Sequence, residues 1–74
     1  MNHVVHAEIV ANVLAVLVDP GQKVAAGEAV VMLESMKMEI PVLTEAEGVV
    51  EEIVVKPGDV VYEGEPLVVL AEGS

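Results

Sequence analysis

The sequence predicts an all-β fold: a flattened β-barrel or sandwich built from two four-stranded halves related by an approximate two-fold. Three observations predict it. Valine supplies 18 of the 74 residues, while Phe and Trp are absent and Tyr62 is the only aromatic ring. Such β-branched side chains suit pleated, half-buried surfaces. The chain is also written twice. Sliding it by 37 positions lays Val5–Glu34 over Val42–Ala71 without a gap, and 11 of the 30 aligned positions are identical. Finally, the same turn residues recur in both copies, Pro20-Gly21 with Pro57-Gly58 and Gly27-Glu28 with Gly64-Glu65. One copy cannot bury both faces of its strands; two copies sharing a valine core can.

Each copy reads as strand, turn, short strand, turn, strand. In the first copy, strands are expected near residues 3–8, 12–18, 23–25 and 29–34. Pro20-Gly21 separates the second from the third, because proline fixes φ and glycine accepts the positive φ of a type II turn. Ala26-Gly27-Glu28 supplies the next turn. The second copy repeats the order, with strands near 38–43, 49–55, 60–62 and 66–71, divided by Pro57-Gly58 and Glu63-Gly64-Glu65. The apolar stretches are too short for helices and rich in Val, Ile and Leu, and none carries a helical period. The whole of 1–74 reads as a single domain containing the internal repeat 5–34 and 42–71. A body this small sits near the lower size limit for a single unstapled core, and with no cysteine it has no disulfide to help.

Thirteen carboxylates against three lysines give a formal charge of −10. Such a surface repels phosphate backbones and anionic lipid, which argues against nucleic-acid and membrane-surface binding. The apolar run Ile9–Val18 has no preceding Arg or Lys, abuts Glu8 and is too short to span a bilayer, so it reads as a strand and not as a leader. A cytoplasmic, monomeric protein is expected. His3 and His6 are spaced to point to opposite faces of one strand, which suits neither a metal pair nor a catalytic dyad. No metal-ligand cluster is visible, and no Ser or Asp completes a hydrolytic or phosphocarrier site around those histidines.

The segment joining the two copies is different. It reads Glu34-Ser35-Met36-Lys37-Met38-Glu39. A turn lysine is ordinarily a solvated cation in weak surface ion pairs, here with Glu34 and Glu39. Two features set Lys37 apart. It is the one cation in the segment that the repeat leaves unmatched, whereas Lys23 and Lys56 flank the Pro-Gly turns. It is also bracketed by two flexible, polarizable side chains, Met36 and Met38, which cannot both be deep core on either side of an exposed turn. Under the shift of 37 its mate is Ser74, so the lysine turn and the chain end should occupy opposite ends of the molecule.

This segment, set between the halves of a repeat, resembles the attachment motif of biotin carboxyl carrier proteins, in the Glu-(Ala/Ser)-Met-Lys-Met form. Gly21, Gly27, Gly48, Pro57-Gly58 and Gly64 fall at that family's turn positions, so the resemblance covers nearly the whole chain. It implies a barrel-sandwich hybrid that displays the target lysine on its central hairpin. It further implies a carrier with no catalysis of its own: a biotin protein ligase attaches biotin to Lys37, a biotin carboxylase loads a carboxyl group, and a carboxyltransferase passes it to an acyl-CoA or 2-oxo acid. Glu34, Ser35, Met36, Met38 and Glu39 would form the recognition motif. The two carboxylates favour a protonated amine, so the ligase must remove the proton. The chain departs from the family pattern at Ala7-Glu8 and Thr44-Glu45, where Ala-Pro is common, and at Ala11, opposite Gly48 in the other copy. The ungapped repeat leaves no room for the protruding insertion of some acetyl-CoA carboxylase carriers. The nearest alternative is a lipoyl domain, or a protein accepting both biotin and lipoate. Met36 and Met38 stand where lipoyl turns carry acidic and small residues, which favours biotin. An unmodified structural adaptor is the remaining alternative, separable by intact mass.

Overall fold

The computed structural model describes residues 2–72. It contains eight strands: β1 (Asn2–His6), β2 (Ala11–Val16), β3 (Lys23–Val24), β4 (Ala29–Ser35), β5 (Met38–Leu43), β6 (Gly48–Ile53), β7 (Val60–Val61) and β8 (Pro66–Ala71). They form two antiparallel four-stranded sheets, in the orders β1-β8-β6-β3 and β5-β4-β2-β7. The all-β, two-sheet architecture expected from the repeat is therefore present. A shift of 37 residues carries β1 to β5, β2 to β6, β3 to β7 and β4 to β8, and with them one sheet order into the other.

The sheets are not the two copies laid face to face. Each sheet draws two strands from each copy. The Pro-Gly turns cause this interlock. Gly21 N–H donates to the Val50 carbonyl at 2.7 Å, and Gly58 N–H to the Val13 carbonyl at 2.9 Å. In return Val50 N–H reaches Gln22 and Val13 N–H reaches Asp59, both at 2.8 Å. The turn after the second strand of each copy is thus clasped to the matching strand of the other.

Those turns are type II as the sequence predicts. Gln22 N–H closes on the Asp19 carbonyl at 3.0 Å with Gly21 at φ +87°, and Asp59 N–H closes on Lys56 at 3.1 Å with Gly58 at φ +97°. The second turns follow the same rule, and each ends on a glutamate whose carboxylate accepts a backbone N–H. Glu28 accepts from Ala25 at 3.0 Å and Glu65 from Tyr62 at 2.7 Å. The repeated Gly-Glu pairs are turn chemistry.

The core is valine-rich and thin. Val13/Val50, Val24/Val61, Val31/Val68 and Leu33/Leu70, four of the identical pairs, are buried in both copies. Packing two sheets over side chains of this size leaves an elongated body of 38 × 18 × 17 Å. Three strands, β1, β2 and β6, end two residues earlier than the sequence suggests. β1 stops at His6 because Ala7 pairs instead with the turn before β8, donating to Glu65 at 2.9 Å and accepting from Gly64 at 2.8 Å. β2 stops at Val16, after which Leu17 makes one last bond to Val30 at 2.9 Å and the chain leaves the ladder. Thr44, the equivalent of Ala7, is buried, and its hydroxyl donates to the Ala46 carbonyl at 2.7 Å. Among the described residues, no helix is long and apolar enough to cross a membrane.

Candidate functional site

The segment that the repeat leaves unmatched is the hairpin between β4 and β5. Its ladder pairs Leu33 with Ile40, Glu34 with Glu39 and Ser35 with Met38, leaving Met36 and Lys37 as a two-residue loop. Both have left-handed backbones, with φ of 53° and 66°. Positive φ at both central positions is the mark of a type I′ turn, whose twist matches the strands it joins. The turn normally uses Asn-Gly. Here two L-residues with long side chains occupy it, at a cost of about 1 kcal/mol each. They are the only non-glycine residues with positive φ among those described.

The hairpin brings the six singled-out residues together at one tip. Lys37 is exposed, Met36 is 92% exposed and Met38 is 65% exposed, so neither methionine is core. Glu39 is exposed as well, while Glu34 and Ser35 are half-buried. The register sets Glu34 directly opposite Glu39. Like charges facing across a ladder weaken it, so this end of the sheet carries two features that stability alone does not select. Chemically, the tip offers a primary amine, free to become an amide, on a rigid two-stranded arm.

The hairpin lies at one end of the long body. β2 begins beside it, with Asn12 opposite Glu34, and β7 pairs with that same start of β2. β8 runs away from this end, from Pro66 beside His6 to Ala71 beside Asn2. The far end thus holds Asn2 and Ala71; Ser74, the repeat mate of Lys37, lies outside the described residues. A shallow groove of about 280 Å³ runs beside Lys37, lined by Val10, Ala11, Asn12 and Val60 together with the hairpin. Its walls come from β2 and β7, residues the motif does not mark.

A larger hollow of about 1060 Å³ separates the edge strands β1 and β5. His3 and His6 lie among its lining residues, with the rest of β1. The pairing of β1 with β8 slips between Val5 and His6, the unpaired residue, Leu67, lying on β8. Among the described residues, no group of three or more His, Asp or Glu side chains is arranged to hold a metal ion.

Residues 4–70 match the family model for biotin/lipoyl domains, described as "biotin-requiring enzyme". The chain belongs to the biotin/lipoyl attachment family. Within it, this biotin/lipoyl domain is 48% identical over 67 residues to the biotinylated protein TB7.3 homolog of Mycobacterium leprae, covering 90% of this chain and 94% of that one. It is 39% identical over 70 residues to the biotin/lipoyl attachment protein of Bacillus subtilis, covering 95% and 96% respectively. The fold superposes on part of the Kluyveromyces lactis urea carboxylase crystal structure with a TM-score of 0.91 and 28% identity. That match covers 96% of this chain and 6% of the carboxylase. The chain is therefore a small carrier-type domain, similar in size to its biotinylated relatives and in fold to one segment of a carboxylase.

Proposed function

We propose that residues 1–74 form one carrier domain and that Lys37 is its attachment site for biotin. The observation that carries this reading is the display of one amine, between two exposed methionines, on a strained hairpin tip in a chain of this family. The groups around Lys37 fit an acyl acceptor. Among the described residues nothing packs over the tip, and the exposed flanking side chains leave the amine open to an enzyme. For the transfer, Nζ gives up a proton to a base on the ligase and forms an amide bond with the acyl carbon, and the activating group departs with its electron pair. Glu34 and Glu39 face each other across the hairpin ladder and flank the loop with negative charge. Ser35, Met36 and Met38 complete the recognition motif.

Bound biotin supplies a ureido nitrogen that carries a carboxyl group between active sites. The domain itself contributes reach and local concentration, since a tethered group meets each active site without diffusing away. We assign a biotin carboxylase and a carboxyltransferase as its partners and a cytoplasmic location. The likeness to a carboxylase segment supports those partners. The name of the Bacillus subtilis relative supports a second reading, in which the same lysine also accepts lipoate.

Intact mass tests both. Co-expression with a biotin protein ligase should add a single biotinyl group, moving the formal charge from −10 to −11 as the ammonium becomes an amide. Lys37→Arg should abolish the addition. Label on Lys23 or Lys56, or none on the wild type, would overturn the assignment; a lipoyl-sized increment in the native host would establish the second reading.

A further inference from the structure

The two-fold repeat supplies an internal control for surface composition. Apart from the hairpin, the described strands and turns at one end recur at the other, so a residue that the fold requires should recur at its equivalent 37 positions away. Around the lysine hairpin three exposed apolar residues do not. Val10 is 54% exposed and corresponds to Glu47 in the other copy; Val60 is 54% exposed and corresponds to Lys23; Tyr62 is 60% exposed and corresponds to Ala25. At these three positions the far end makes the same turns and strand pairs with charged or small side chains. The opposite exchanges are fewer: Leu43, 52% exposed, against His6, and Val49, only 37% exposed, against Asn12. Val10 and Val60 also line the groove beside Lys37. With Met36 they make one apolar surface, bordered by the carboxylate of Glu34, which Glu39 faces across the hairpin ladder.

We infer that this surface is the docking site of the ligase that acylates Lys37, a partner with an apolar contact area and a cationic rim. The inference rests on Lys37 being the attachment site. The reach of the side chain selects the ligase over the carboxylase. An unmodified lysine extends only the length of its four-carbon stem, so its amine reaches the acyl donor only if the surrounding surface is pressed against the enzyme. Once acylated, the arm is far longer and can enter a carboxylase while the domain stands off. A close-docking partner buries an apolar centre and leaves a polar rim, which is the composition found here.

Transplanting residues from the far end tests this. Val10→Glu with Val60→Lys gives the lysine end the side chains its equivalent already tolerates and leaves net charge unchanged. Leu17→Gln, at the opposite end and matched by apolar Val54 in the other copy, serves as the control. Far-ultraviolet circular dichroism checks folding, and initial rates of biotinylation by the native host's ligase give kcat and KM for the apo-protein. The double variant should raise KM by about fivefold or more with kcat nearly unchanged, while the Leu17 variant stays within twofold of wild type. A KM within twofold of wild type in the folded double variant overturns the docking site. So does an unchanged ligase KM accompanied by slower carboxylation of the biotinylated variant, which would give the surface to the carboxylase. Failure to biotinylate the wild type would instead refute the attachment site itself.

Discussion

A left-handed backbone at Met36 and Lys37 gives the hairpin tip an energy that its sequence could easily lower. Asparagine tolerates positive φ far better than methionine. Met36→Asn should therefore raise stability by about 0.5 kcal/mol or more in a urea melt, while slowing ligation. A variant both less stable and fully ligated would contradict the reading of the tip as strain retained for function. Lys37→Ala removes no buried atoms, and its effect on stability should stay within about 0.5 kcal/mol. Gly48 behaves oppositely. A methyl group there would stand 2.6 Å from the Ala71 carbonyl oxygen, a backbone atom that cannot swing aside. Gly48→Ala should cost about 1 kcal/mol or more, even though Ala11 occupies the equivalent place in the other copy. The hairpin and its exposed methionines were legible in the motif. The positive φ values were not, because neither residue is one that advertises them.

At the level of elements, the Pro-Gly turns matter more to stability than the lysine turn. A Cβ on Gly58 would meet nothing within 4 Å, so substitution there is penalised by backbone conformation alone, at φ +97°. Gly58→Val should cost about 1 kcal/mol or more. Equal urea midpoints for Gly58→Val and Lys37→Ala would contradict that ranking. All eight strands were readable, since turn residues and short apolar runs bound each one. Their ends were less so: Ala7 leaves β1 to pair with Gly64 and Glu65, far off in sequence, on which local pattern is silent. The register slip opposite Val5 and His6 was silent as well, because a bulge has no local signature in residues that fit a regular strand equally well. The interlock of the copies was invisible too. A shift of 37 is compatible with one sheet per copy or with shared sheets, and only the ladders between copies, such as β1 with β8 and β3 with β6, decide between them.

For the whole molecule, charge and shape act together. A body 38 Å long with a formal charge of −10 presents its amine at one extremity. Encounter with a cationic rim should weaken as salt shortens the screening length to about 3 Å at 1 M. The apparent second-order rate of biotinylation should therefore fall steadily with added salt, and Glu34→Gln with Glu39→Gln should flatten the dependence. A salt-independent rate would remove electrostatics from the encounter. The interlocked sheets also dictate an order of events during synthesis. Both sheets need strands from the second half of the chain, so a nascent polypeptide that has just exposed Lys37 has neither a closed core nor a fixed tip. On the proposed attachment at Lys37, modification should wait for the last strand. A chain cut after Leu43 retains the entire motif, yet on a streptavidin blot it should label far more weakly than the full sequence. Folding would then act as the checkpoint that keeps unfinished chains from consuming the proposed prosthetic group.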